Sequence, residues 1–287
     1  MMGYNEPLST TELIGRALFE DLGIDGDITS QAVFGEHRAG RALIRSKDRG
    51  TLSGAYLIEP IFHAISPSVE IKTMIRDGEK IFPGSEICFL DGPLQSICAG
   101  ERLCLNFLQR LSGIATATAK LVELIAHTKA KLLDTRKTTP LLRSLEKRAV
   151  THGGGTNHRF GLFDMVLIKD THVKASGGVS QALAKVRSNV ANLKKTVSVE
   201  VEVQTWDELL EALPFKPDRI MLDNMSIELM AACVTHVRMV EPKIEIEASG
   251  NIDEKSIVNK AETGVDFISV GAITHSVKAL DIHLVII

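Results

Sequence analysis

The hydrophobic pattern changes character along the chain. In the first third, Leu13, Ile14, Ala17, Leu18 and Leu22 share one face of a helix over 11–22, with Ser9 or Thr10 as its cap. Gly23 to Asp27 read as a turn, and Arg41 to Arg45 as a strand. A short helix follows over 55–65, closed by Pro67, then strands over 69–75 and 86–90 with turns at Asp77-Gly78 and Pro83-Gly84. This is the pattern of a small α+β unit, and no charged cluster in it looks catalytic. A long helix over 100–127 comes next, with Leu103, Phe107, Leu108, Leu111, Ile114 and Ala115 on its apolar face and Arg102 off it. Beyond it, apolar strands at 131–135, 165–169, 197–203, 219–223, 243–248 and 267–271 alternate with helices near 141–150, 178–189, 205–213, 226–240 and 253–263. Repeated strand–helix units predict a parallel sheet, and six of them favour barrel-like closure. The apolar end, Ile282 to Ile287, reads as a strand returning to the first domain.

Composition narrows the class. The 287 residues suffice for one large or two ordinary domains, and 44% hydrophobic with 24% charged residues is the balance of a globular protein. A net charge of −3 argues against a general nucleic-acid binder. Cys88, Cys98, Cys104 and Cys233 form no CxxC pair and no zinc spacing, so buried reduced thiols in a cytoplasmic protein are expected. No apolar run is long enough for a membrane span, and the first 23 residues are too acidic for a signal peptide.

The chemistry gathers where strands end. Leu132-Leu133 runs into Asp134-Thr135-Arg136-Lys137, and Met165 to Ile168 runs into Lys169-Asp170; Arg159 follows the Gly153-Gly154-Gly155 run. Ligands of parallel α/β folds lie beyond the carboxyl ends of strands, and converging cations suit a small polyanion. Val199 to Val203 alternates Val and Glu, so Glu200 and Glu202 share a face, with the valines turned to the helices. Ile220-Met221-Leu222 ends in Asp223-Asn224, so Glu202 and Asp223 can hold a hydrated Mg²⁺ or pair with the lysines. Ser249-Gly250-Asn251 and Gly271-Ala272 end two late strands, where barrels often bind phosphate. A phosphate end, an acid centre and a cationic patch fit a phosphorylated sugar meeting a carboxylated partner.

Taken together, these motifs resemble the quinolinate phosphoribosyltransferases. The matching segments are Glu20-Asp21-Leu22-Gly23, Gly26 to Ser30, Glu101-Arg102 with Leu105-Asn106, Ser112 to Thr116 and Asp134 to Thr138. They continue with Gly153 to Gly155, Asn157-His158-Arg159, Leu167 to Asp170 with His172, Val201-Glu202-Val203, Met221 to Asn224, Glu247 to Gly250 and Ser269 to Ala272. The resemblance implies an α/β protein: an N-terminal open sandwich over 1–115, completed by about 274–287, and an incomplete α/β barrel of about seven strands over 116–273. It implies joining quinolinate to phosphoribosyl pyrophosphate with Mg²⁺, giving nicotinate mononucleotide, pyrophosphate and CO₂ in NAD biosynthesis. It also implies a homodimer in which Arg102 reaches the other subunit's site.

Carried over residue by residue, the resemblance has Arg102, Arg136, His158, Arg159 and Lys169 bind the quinolinate carboxylates. Lys137, Glu202 and Asp223 hold the ribosyl pyrophosphate, the two acids with its Mg²⁺, and act in catalysis. Ser249, Gly250, Asn251 and Gly271, with His275, bind the 5-phosphate. Asn251 stands where the family commonly has Gly; if that position needs positive φ, Asn is the next best residue. The rivals are a molybdenum-associated paralogue acting on another acid, a barrel lyase using Lys169 as a Schiff-base amine, and a phosphate-binding protein without catalysis. The arginine cluster argues against the lyase, and two acids facing the cations argue against a mere binder.

Overall fold

A computed structural model describes residues 8–34, 38–190 and 196–287. In chain order the first stretch holds α1 (Thr10–Leu22), α2 (Ile28–Phe34), β1 (Ala39–Ser46), β2 (Gly50–Thr51), α3 (Ile58–Ile65), β3 (Glu70–Thr73), β4 (Lys80–Ile81), β5 (Glu86–Pro93) and α4 (Leu94–Leu124). Strands and helices then alternate: β6 (Lys131–Leu133), α5 (Arg143–His152), β7 (Val166–Ile168), α6 (Asp170–Ser176), α7 (Val179–Val190), β8 (Val199–Val203), α8 (Trp206–Ala212) and β9 (Arg219–Asp223). The chain closes with α9 (Ile227–Val240), β10 (Glu245–Ser249), α10 (Ile257–Glu262), β11 (Phe267–Ser269), α11 (Ala272–His275) and β12 (Ile282–Ile286). Two compact units result: Met1–Ala119 with Thr138–Gly154 and Ser276–Ile287, and Lys120–Lys137 with Gly155–His275.

In the first unit a four-stranded antiparallel sheet runs β12-β1-β5-β3, beside a small β2-β4 pair. The returning C-terminal strand is as expected: Ala42 faces Ile286 and Ser46 faces Ile282. Leu280 N–H donates to the Gln109 carbonyl, and the Gln109 side chain to the Ile282 carbonyl at 2.7 Å, tying this strand to α4. Ser9 caps α1 in a capping box with Glu12, as its spacing suggests. The expected apolar face of α4 is buried throughout, while Arg102 is exposed. Helix α2 was not anticipated from the sequence; it begins where the turn ends, with Asp27 accepting from the backbone and hydroxyl of Ser30.

The unit boundaries shift by a few residues at 119 and 276 and depart from the sequence expectation most in one segment. Residues 138–154, assigned above to the barrel, group with the first unit. The cause is a buried ion pair that no periodicity reveals. Glu146 is fully buried on α5 and accepts from Arg110 Nε at 2.8 Å and Nη2 at 2.6 Å, while its other oxygen takes the Thr139 N–H. His152 meets the Ser53 hydroxyl at 2.9 Å. The glycine run belongs to this packing: a Cβ on Gly153 would stand 2.4 Å from the Ala115 carbonyl oxygen on α4.

The second unit is an incomplete α/β barrel. Its six strands are all parallel, in the order β6-β11-β10-β9-β8-β7. About seven strands were expected; beside the six, an isolated parallel bridge joins Leu133 to Thr156. Val201 and Val203 are fully buried against the helical side, so the Val/Glu alternation of β8 places Glu200 and Glu202 inside. The cysteines are all free; Cys88, Cys104 and Cys233 are buried and Cys98 partly so. Among the described residues no helix is long and apolar enough to cross a membrane.

Asp266 fastens the lower end of the barrel. It accepts from Lys129 Nζ at 2.8 Å, from the Ile246 N–H at 2.8 Å and from Arg238. Burial works against its charge, but these donors outweigh it and hold the carboxyl below its ordinary 3.8. Its stabilisation is therefore present above that value and lost as pH falls through the lower, folded pKa. Asp266→Asn is expected to cost about 1–3 kcal/mol at neutral pH. Urea unfolding should show that the difference from wild type closes in acid.

Candidate active site

The carboxyl ends of the barrel strands bring most of the expected residues together. After β6 the chain turns through Asp134, which is fully buried and accepts the His158 N–H at 2.8 Å. Arg136 and Arg159 are both part-buried. Burial pulls the Arg159 pKa down, and the Arg136 guanidinium beside it adds to the effect. Two cations held this close favour an anion between them. Arg159 also donates to the Met165 carbonyl at 3.2 Å, and Asp164 shapes the intervening loop by accepting the N–H groups of Phe160 and Gly161.

Lys169, Asp170, Glu202 and Asp223 form the acid centre. Burial raises the Glu202 carboxyl, and the neighbouring carboxylates of Asp223 and Asp170 add to it against Lys169, so its pKa is pushed up to about 7. Asp223 accepts from Asn224 Nδ2 at 2.7 Å and from Gln204 Nε2 at 3.3 Å. A half-buried pair of carboxylates that crowd each other's charge suits a divalent cation with oxygen ligands. Glu202 and Asp223 therefore fit Mg²⁺ by their donor type and by the charge they leave to be neutralised.

The expected phosphate end lies in the loops after β10 and β11. Gly250 has φ +94°, and a Cβ there would stand 2.1 Å from Asn224 Oδ1 and 2.8 Å from the Asn224 backbone nitrogen. Asn251 has φ +48°, the left-handed conformation its residue type allows, and donates to Asn224 Oδ1 at 3.3 Å. Gly271 opens α11 beneath two side chains, a Cβ there falling 3.0 Å from Lys137 and 3.1 Å from the His275 ring. Thr274 Oγ1 donates to the Lys137 carbonyl at 2.8 Å and fixes that neighbourhood. The loop after β10 does not lead straight into a helix; a turn over 253–256 precedes α10. Buried Lys260, unremarked in the sequence, holds this loop by donating to the Gly250 carbonyl at 2.8 Å.

His158 turns inward. Its Nδ1 accepts the Arg159 N–H at 2.7 Å, and its Nε2 lies 3.2 Å from Glu200 and 3.4 Å from Glu247. Arg219 completes the group, 3.0 Å from Glu247 and 2.9 Å from Glu245, with Phe267 under its guanidinium. Burial opposes a charge on the ring and Glu200 and Glu247 favour one, but the backbone contact on the other ring edge works against the second proton a charged ring would need. A proton on Nδ1 would meet the Arg159 N–H head-on, so the contacts favour the neutral Nε2–H ring. Burial, with Glu247 beside it, raises Glu200, whereas His158, Ser269 and Arg219 outweigh burial and lower Glu247. Of the expected ligands, Arg102 belongs to the first unit, where it is exposed and 3.9 Å from Glu101.

Known proteins of similar sequence and architecture point to one family. Residues 27–112 match the N-terminal domain of quinolinate phosphoribosyl transferase and residues 114–285 its C-terminal domain. The chain is 43% identical over 284 residues to a quinolinate phosphoribosyltransferase [decarboxylating] of Nicotiana glauca, covering 95% of this chain and 81% of the relative. It is 41% identical over 278 residues to a probable nicotinate-nucleotide pyrophosphorylase [carboxylating] of Bacillus subtilis, covering 96% and 93%. A nicotinate-nucleotide pyrophosphorylase structure from Francisella tularensis superposes with a TM-score of 0.91 at 41% identity over all of both chains. The order of strands, the polar residues at their ends and these matches across both domains lead to one assignment: the chain belongs to the quinolinate phosphoribosyl transferase family.

Proposed function

We propose that this protein transfers the phosphoribosyl group of phosphoribosyl pyrophosphate to quinolinate, releasing pyrophosphate and CO₂ and forming nicotinate mononucleotide for NAD biosynthesis. The observation that carries this is the Arg136–Arg159 pair, two part-buried guanidinium groups beside one another, burial and then Arg136 lowering the pKa of Arg159. Such a pair suits two adjacent carboxylates on a planar ring, and guanidinium binds them bidentately where ammonium cannot. Lys169 adds charge at the next strand end. His158 supports Arg159 by accepting its backbone N–H. Arg102 is assigned to the quinolinate site of a second copy in a homodimer.

Loss of pyrophosphate builds positive charge on the ribose ring. Glu202 and Asp223 face that charge from adjacent strands and stabilise it electrostatically. Lys137, beside Gly271, steadies the departing pyrophosphate. When bound at Glu202 and Asp223, Mg²⁺ supplies further neutralisation of the leaving group. Attack by the pyridine nitrogen leaves that nitrogen cationic, so the substrate itself stabilises the carbanion formed when CO₂ departs. No covalent nucleophile is needed. Ser249, Gly250, Asn251 and His275 hold the 5-phosphate.

The test is a mass balance. Incubated with quinolinate, phosphoribosyl pyrophosphate and Mg²⁺, the protein should release CO₂ and mononucleotide in equal amounts. Turnover of nicotinate in place of quinolinate would contradict the reading. The phosphate loop makes its own prediction. Gly250→Ala strains a left-handed position by about 1–2 kcal/mol and drives a methyl group into Asn224. It should weaken phosphoribosyl pyrophosphate binding at least ~10-fold, read as KM for that substrate, with quinolinate affinity little changed.

A further inference from the structure

Beneath the acid centre lies a second polar group with no place in the chemistry above. Glu200 and Glu247 are fully buried, and Arg219 and His158 nearly so. They come from three adjacent strands and one loop: Glu200 from β8, Arg219 from β9, Glu247 from β10 and His158 from the segment after the glycine run. Buried ion pairs seldom stabilise a fold more than apolar residues of equal size. What the group does provide is a fixed chain of contacts. Arg219 holds Glu247, and Glu247 with Glu200 faces the Nε2 edge of His158. The opposite ring edge takes the backbone N–H of Arg159, and the N–H of His158 itself is held by buried Asp134. The backbone is thus pinned on both sides of one peptide unit, and the next side chain outward is Arg159.

We propose that Glu247 and Arg219 are positioning residues for quinolinate, acting through the His158 ring on the placement of Arg159. Neither reaches the substrate. The strand floor transmits its rigidity to the arginine through one imidazole that serves as a spacer of fixed length. His158, Glu200 and Glu247 also have the donor types of a transition-metal site, with ligand atoms within 4.8 Å of one another. The Arg219 guanidinium, 3.0 Å from Glu247, already supplies the compensating positive charge there, which disfavours a cation.

The proposal rests on the quinolinate reading of the arginine pair, and its test has two arms. In the kinetic arm, Glu247→Gln keeps the side-chain volume and removes the charge. It should raise KM for quinolinate about tenfold while KM for phosphoribosyl pyrophosphate stays within about twofold, and Arg219→Lys should give a smaller shift of the same kind. A lower Tm with both KM values unchanged, or both raised together, would overturn the idea. In the spectroscopic arm, ¹⁵N-histidine labelling of the wild-type protein, with His158→Gln for assignment, reads the ring directly. An unprotonated Nδ1 and a protonated Nε2 at neutral pH are expected; a proton on Nδ1 overturns it, whether or not the variants fold. Bound zinc near one per chain, lost in Glu247→Gln, would overturn it too. Wild-type protein inert toward quinolinate would remove the substrate reading alone, and the nitrogen spectrum would still decide whether the ring links Glu247 to Arg159.

Discussion

Arg136→Ala and Arg159→Ala each lower kcat/KM for quinolinate by about 2–5 kcal/mol, roughly 30- to 5,000-fold, by analogy with truncating one member of a desolvated charge pair. The two guanidinium groups crowd each other in the free protein, Arg136 adding to burial in lowering the Arg159 pKa. Removing one relieves that crowding and leaves the diacid with half its partners. Arg136→Ala should therefore weaken catalysis. Arg159→Ala should weaken it and also lower Tm, because the Met165 carbonyl loses its donor. Lysine should rescue neither variant fully, since it offers a point charge where a planar fork is needed. Steady-state kinetics in quinolinate with parallel thermal melts separate these outcomes. Near-normal kcat/KM in both variants would contradict the assignment.

Glu202→Gln is expected to lose about 2.7–4 kcal/mol of transition-state stabilisation, the scale for removing one preorganised electrostatic group, while making the free protein more stable at alkaline pH. The two effects have one origin. Burial and the carboxylates of Asp223 and Asp170 push Glu202 from 4.5 to about 7. A folded pKa raised above the unfolded one means that the folded protein binds the extra proton between those values, so stability falls as pH rises through that window. The full shift would amount to roughly 3 kcal/mol; for a half-buried group, solvent screening reduces it to about 1–2 kcal/mol. Glutamine carries no such penalty. Urea titrations should show the variant more stable than wild type near pH 8 and equal to it near pH 4. Equal stability at both values would mean that the acids do not crowd one another.

Much of this architecture could be read before any coordinates, and the reasons are local. The alternation in Val199 to Val203 names its inward face outright, and charge at the end of an apolar strand marks a barrel mouth. Asn251 was suited by its type to a left-handed backbone if the position needed one, and its φ of +48° shows that it does. The gaps have reasons as well. Helix α6 was hidden because Lys169-Asp170 reads as a strand end, although the helix begins at Asp170 itself. The grouping of 138–154 depends on Arg110 meeting Glu146, 36 positions apart. Arg219 stands at the start of its strand, where attention to strand ends does not look, and only the sheet order brings it to Glu247. His158 was expected at the ligand because Arg159 follows it; adjacent residues need not point the same way.

The acids inside the barrel also guard its assembly. Along β8 and β10 every second residue is a carboxylate or a serine, and the residues between are aliphatic. A slip of either strand by one position would drive those carboxylates into the oily layer beneath the helices and turn the valines and isoleucine into the wet mouth. Each misaligned sheet would strand charge in hydrocarbon, at a cost of several kcal/mol per ion. The acids of the inner face thereby also reject the wrong alignments while the chain folds.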